Sequence, residues 1–571
     1  MTTVGELLLS RLHDLGIRHI FGLPGDYNME FLDQIEAFPG IEWVGSCNEL
    51  NASYSADGYA RLAGIAAIVT TFGPGELSAV NGLAGAMAES VPIVSIVGGP
   101  PVRIMEKHTA MHHSIGDGDF DRWIRVAREV TVAQTSLTVD NASTEIDRVL
   151  REGWLAQRPV YIRLPGDVAQ QEVAAPRSPL TRPEPVVDQE QLDAFVGIAR
   201  RLLAKASRPA LLVGNLAIRF DLHDLVNSLL VDRNWPVATQ SVGRGFIDES
   251  SPHYVGIYNG GDSLQPTCEA IHGADALVCV GTTFFDWDGL FTADLDLSLI
   301  IGLNTTAATV GDTVFPSVPP EAALRALYEI APVREVPWDV TIVPPPAPLD
   351  PASTAPLQQA RLWPVVGSML RPGDVLVPET GTPSFGVVEF HLKPQTDVLM
   401  APLWGSIGYA TPAAFGAGIA DPDRRVVLIT GDGSLQLTVQ EISRMLATGQ
   451  RPIIMVLNNG GYTVERAVDG RHQPYNDIDN WRYADLPSVF ARDASIDSYV
   501  VATEGELARV FAGLSGKPER LTIIEVKLGL VDMPLGMPRW GSETTALDYQ
   551  IRAAAEPPRL PWGGLPGQTA T

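Results

Sequence analysis

Short apolar runs rich in β-branched residues alternate with stretches of helical periodicity along nearly the whole chain, and this alternation constrains the fold more than any other feature. AAIVTTFG (66 to 73) is followed by a small-residue stretch to Ala88 and then by VPIVSIVGG (91 to 99). Strands apolar on both faces need helices above and below them, so parallel α/β layers are expected. Two Pro-rich stretches, 174 to 187 and 332 to 356, break the pattern. Proline lacks a backbone donor and fixes φ, so both read as linkers. They divide the 571 residues into three doubly wound parallel-sheet domains, 1–173, 188–331 and 357–550, each of ordinary domain size. The tail, 551–571, is expected to be disordered.

The formal net charge of -26 argues against a nucleic-acid or anionic-membrane partner, since phosphate binding needs clustered Lys and Arg. The opening MTTVGELLLSRLHDLGIRHIFGL reads as an amphipathic helix running into a buried strand, not as a signal peptide. No stretch is apolar for long enough to span a membrane. Cys47, Cys268 and Cys279 show no CxxC spacing, which suggests neither a disulfide framework nor a zinc site. A reducing cytoplasm is the expected location.

The third block holds the strand VVLIT, then Gly431-Asp432-Gly433-Ser434, then a helical pattern, the strand PIIMVL, and Asn458-Asn459-Gly460-Gly461. A carboxylate at a strand end, beside glycines that let backbone amides approach, suits a divalent cation held against a diphosphate. Magnesium takes oxygen ligands and commonly only a few from protein. Asp432 and Asn459 can supply two from adjacent strand ends, with the Gly461 carbonyl as a third. A GDG string alone is a common turn. The 24 residues between Gly433 and Asn458 suit one helix and one strand returning to the same sheet edge.

With GDGSLQLTVQE (431 to 441) and NNGGYTVERAV (458 to 468), the chain resembles the thiamine-diphosphate-dependent decarboxylases of pyruvate, indolepyruvate, phenylpyruvate and branched-chain 2-oxo acids. The resemblance extends over nearly the whole chain. It implies thiamine diphosphate and Mg2+ as cofactors, with Asp432, Asn459 and the Gly461 carbonyl as metal ligands and Gly431, Gly433 and Ser434 around the diphosphate. NELNASYSADGYAR (48 to 61) matches the family's glutamate motif, which gives Glu49 the task of bonding the pyrimidine ring and forcing its imino tautomer. By itself Glu49 is an acid favoured at a helix start. Ile407 matches the bulky residue wedged under the two cofactor rings. The resemblance also implies a pyrimidine-binding first domain, a diphosphate-binding third domain, and active sites shared across a homodimer that assembles into a homotetramer.

Loss of CO2 leaves an enamine that must be protonated before the aldehyde departs, which calls for several titratable groups. Asp26 in PGDYN, His112 and His113 in MHH, and Glu465 in YTVE resemble the decarboxylase branch's relay. The expected function is therefore non-oxidative decarboxylation of a 2-oxo acid to an aldehyde. FGPGELSAVNG (72 to 82), with Pro74, is reminiscent of the acetolactate synthases and keeps carboligation as the alternative. The substrate pocket is assigned to Ser384, Phe385, Trp287 and Val464. Ser384 stands where pyruvate decarboxylases carry a bulky aromatic, so branched-chain or aromatic substrates are expected over pyruvate, while an inward Trp287 would oppose this. No complete GxGxxG or Walker A loop supports a nucleotide-dependent alternative.

Overall fold

In a computed structural model, residues 1–286, 295–305, 307–340, 343, 345–491, 493, 495–514 and 516–549 are described. Trp287 and the tail 551–571 lie outside them. Three sheets carry the fold. The first has six parallel strands in the spatial order Glu42–Gly45, His19–Gly22, Ala66–Thr71, Ile93–Gly99, Val160–Pro165, Ala133–Ser136. The third is also six-stranded and parallel, in the order Asp397–Val398, Val375–Pro378, Val426–Gly431, Ile453–Asn458, Leu521–Lys527, Ile496–Val501. Ranked by sequence, both are wound 2-1-3-4-6-5. Two blocks without visible sequence repetition thus share one topology.

The middle sheet differs. Its five parallel strands, Tyr254–Ile257, Val237–Thr239, Pro209–Val213, Ala276–Val280 and Ile300–Leu303, take the order 3-2-1-4-5 known from dinucleotide-binding folds. Beyond them an antiparallel pair, Ala308–Val310 and Thr313–Phe315, closes one edge. The middle layer is therefore mixed and not purely parallel. The hairpin turns on Gly311-Asp312, with Gly311 at φ +54°, a left-handed conformation that glycine adopts without steric cost.

Apolar residues fill both faces of each parallel sheet, and one core cluster runs continuously from the first block into the third. The seam is the helix Glu49–Ala63 packed on Ala410–Ala420. A Cβ on Gly58 would lie 2.2 Å from the Ala413 carbonyl oxygen, and one on Gly416 would lie 1.8 Å from that of Ser55. Only glycine permits this approach.

The amphipathic start forms the helix Val4–Asp14, closed by a reciprocal Thr3–Glu6 capping box, and leads into the strand His19–Gly22. The helical pattern after the GDG string is interrupted: Asp432–Thr438 and Ile442–Ala447 are α-helical, while Val439–Glu441 tightens into a 3-10 turn. At that turn Thr438 donates to the Gly408 carbonyl at 2.7 Å and Glu441 reaches across to the first block. Among the described residues no helix is long and apolar enough to cross a membrane.

Candidate active site

The strands Val426–Gly431 and Ile453–Asn458 are neighbours and end side by side, which places Asp432 next to Asn459. Asp432 is 1% exposed. Its carboxylate accepts the Gly433 N–H at 2.8 Å and the Gly460 N–H at 2.7 Å, and burial pushes it up to about 6. Asn459 is also buried, and its Oδ1 has no hydrogen-bond partner. A buried acceptor without a donor is costly unless something else supplies positive charge. An anionic oxygen and an orphaned amide oxygen on adjacent strand ends fit a hard divalent cation. Gly461 follows at φ +149°, where a Cβ would lie 2.0 Å from the Asn476 carbonyl oxygen, so its backbone position admits no side chain.

These groups open into a cavity of about 300 Å3. Its wall includes Gly431, Asp432, Gly433, Ser434, Asn459, Gly461, Val464, Glu465 and Ile407. Nine of the residues singled out in the sequence thus come together from three separate segments. Ile407 is set by a neighbour that no sequence motif marks. Glu379, fully buried, accepts the N–H groups of Thr380 at 3.0 Å, Gly408 at 3.2 Å and Ala410 at 3.1 Å, and burial raises its carboxyl to about 7. It ties the segment carrying Ile407 to the end of the strand Val375–Pro378. Thr380, Gly381 and Thr382 complete that wall, with Asp286 from the middle block and Trp540 from the C-terminal helix Met537–Tyr549.

Ser384 and Phe385 do not line this cavity. They line a second one, of about 400 Å3, which shares Asp286 and Trp540 with the first. The Ser384 hydroxyl donates to the Gly381 carbonyl at 2.8 Å, and the Phe385 ring lies 5.2 Å from that of Trp540.

The first-block residues form a separate group, and none of them lines either cavity. Asp26 Oδ2 meets His112 Nε2 at 2.8 Å, and His113 lies edge-on to His112 at 4.6 Å between ring centroids. Tyr27 stacks on His112 at 5.0 Å. His113 adopts φ +63°, and its Nδ1 is buried without a partner. Glu49 is the first residue of its helix, capped by the Asn48 side chain. It is half-buried, and burial raises its carboxyl above the usual range. A Cβ on Gly75 would come within 3.2 Å of Glu49 Oε1, so glycine leaves that face of the carboxylate open. Pro74 occupies the first turn of the helix Pro74–Ala88, where its missing N–H costs nothing.

Comparison with known proteins places these parts in one class. Residues 2–118 match the thiamine pyrophosphate enzyme N-terminal TPP binding domain, 196–327 the central domain and 379–526 the C-terminal TPP binding domain. The chain is thus a thiamine-diphosphate enzyme. The alpha-keto-acid decarboxylase of Mycobacterium leprae (strain TN) is 43% identical to it over 535 residues, covering 93% of this chain and 94% of that protein. The alpha-keto-acid decarboxylase of Mycobacterium tuberculosis (strain ATCC 25618 / H37Rv) is likewise 43% identical over 535 residues, with 93% and 95% covered. The chain belongs to the thiamine-diphosphate-dependent 2-oxo acid decarboxylase family. A solved structure, the thiamine diphosphate-dependent 4-hydroxybenzoylformate decarboxylase of Rhodococcus jostii RHA1, shares the fold at TM-score 0.74 and 19% identity, covering 92% of this chain and 99% of that one.

Proposed function

We propose that the chain removes CO2 from branched-chain or aromatic 2-oxo acids in preference to pyruvate and releases the aldehyde. The second cavity carries this reading: it adjoins the cofactor-side cavity at Asp286 and Trp540 and offers space that pyruvate does not need. Apolar pockets discriminate by only about 1 to 3 kcal/mol per methylene, so the preference is graded. Aldehyde formation from pyruvate, branched-chain, phenylpyruvate and indolepyruvate substrates tests it directly. A higher kcat/KM for pyruvate than for all the others would refute it. Trp540 stands between the two cavities, so Trp540→Ala is expected to raise the kcat/KM ratio of indolepyruvate to pyruvate by roughly tenfold. An unchanged ratio would mean that the second cavity does not receive the substrate.

When bound, thiamine diphosphate supplies a C2 nucleophile and the electron sink for the pair released with CO2. Asp432, Asn459 Oδ1 and the Gly461 carbonyl would hold Mg2+, with Gly431, Gly433 and Ser434 around the diphosphate. Ile407 would support the rings, Glu49 would bond the pyrimidine, and Glu465, Asp26, His112 and His113 would move protons. Val464 borders the substrate. In this reading 1–173 binds the pyrimidine and 357–550 the diphosphate.

The separation of the Glu49 and Asp26–His112–His113 group from the Asp432 cavity supports a site completed by a second copy, in a homodimer or a homotetramer built from it. Carboligation draws on the same residues and differs in whether a second carbonyl compound enters before protonation. Assaying acyloin alongside aldehyde separates the two. Three free thiols support a reducing cytoplasm.

A further inference from the structure

Ile407 stands in a stretch without regular structure. Residues 399 to 409 form neither helix nor strand, and Gly405 at φ +68° and Gly408 at φ +88° place left-handed turns on both sides of it. Such a backbone does not hold a side chain in place by itself, so the position of Ile407 depends on what its neighbours are bonded to.

Side chains of the first block bind this stretch along its length. On the helix Glu49–Ala63, Arg61 Nη1 donates to the Met400 carbonyl at 2.7 Å, Asp57 accepts the Tyr409 hydroxyl, and the Tyr54 hydroxyl lies 2.7 Å from Ser406 Oγ. At the end of the helix Pro74–Ala88, Glu89 Oε1 accepts the N–H groups of Leu403 at 2.9 Å and Trp404 at 3.3 Å. Asn81 Oδ1 accepts the Trp404 indole N–H at 2.9 Å. An indole can only donate, which fixes the orientation of the Asn81 amide. Its Nδ2 therefore faces the Tyr54 hydroxyl at 3.0 Å and Ser406 Oγ at 3.3 Å.

The two residues adjoining Ile407 are thus both held. Glu379 takes the Gly408 N–H at 3.2 Å from within the third block, and Tyr54, 2% exposed, meets the Ser406 hydroxyl from the first. Neither Tyr54 nor Ser406 lines the cavity on which Ile407 opens. We propose that Tyr54 is a positioning residue for Ile407: through Ser406 its hydroxyl fixes one side of that residue, as Glu379 through Gly408 fixes the other. The link to the cofactor rests on the role given to Ile407 above; the hold on the stretch does not.

Tyr54→Phe deletes only the hydroxyl and keeps the ring that packs edge-on against Tyr409 at 5.5 Å between centroids. In enzyme free of cofactor, it is expected to raise amide hydrogen exchange across residues 405 to 408 about fivefold, with the melting temperature within about 3 °C of wild type. In saturated enzyme, exchange of the cofactor C2 proton should fall about fivefold while cofactor affinity stays within about threefold. S406A removes the other end of the same bond, so the double variant is expected to lose no more than either single one. Wild-type amide exchange in Tyr54→Phe, or losses that multiply in the double variant, would overturn the proposal. So would a loosened stretch with unchanged C2 exchange, if Ile407→Ala slowed that exchange. If Ile407→Ala left C2 exchange at the wild-type rate, the role of Ile407 would fall, and amide exchange would still decide whether Tyr54 holds the stretch.

Discussion

Glu49→Gln is expected to slow exchange of the cofactor C2 proton, and with it turnover, by about a hundredfold or more, while cofactor binding stays near wild type. The carboxyl is half-buried, starts a helix, and already sits above its usual range through burial. Partial burial that raises the carboxyl is what a group sharing a proton with a ring nitrogen requires. Glutamine matches its shape, and Asn48 still caps the helix, so the fold should be unaffected. The measurement is deuterium exchange at C2 in saturated enzyme. An exchange rate equal to wild type would remove Glu49 from the chemistry.

Asp432→Ala is expected to abolish retention of thiamine diphosphate through gel filtration in cofactor-free buffer containing Mg2+. The substitution removes the one anionic oxygen of the proposed metal set and leaves the Gly433 and Gly460 N–H groups without their acceptor, at a cost of about 1 to 3 kcal/mol for each buried donor. Asp432→Asn separates the two effects, since it keeps an oxygen for one donor but not the charge. Loss of cofactor in both, with the melting temperature of apo-Asp432→Asn close to wild type, is the expected pattern. Full cofactor stoichiometry in Asp432→Ala would show that Asp432 is not a ligand.

The cluster around Asp432 was legible because the metal chemistry proposed for it dictates residue type and spacing. Oxygen donors must stand at the ends of neighbouring strands, and one helix plus one strand fixes the interval between Asp432 and Asn459. Glu379 carries no such signal. Its work is to collect three backbone N–H groups that become neighbours only in the folded chain. Trp540 and Asp286 were missed for the same reason, coming from a terminal helix and the middle block to one wall. Ser384 is expected to border the substrate, but its hydroxyl donates within its own turn and the residue lines the second cavity. The antiparallel edge of the middle sheet did have a signal, TVGDTVF, whose Gly-Asp pair between alternating residues marks a two-residue hairpin. The shared winding of the first and third sheets had none, since strand order is not written in local sequence.

The absence of Glu49 from the cavity that Asp432 lines has a genetic corollary if each site is built by two copies. Two alleles, one carrying Glu49→Gln and the other Asp432→Ala, would each be silent alone. In a heterodimer both lesions fall on one site, and the other is assembled wholly from undamaged halves. Coexpression would then restore activity that neither allele possesses, a case of complementation within a single gene.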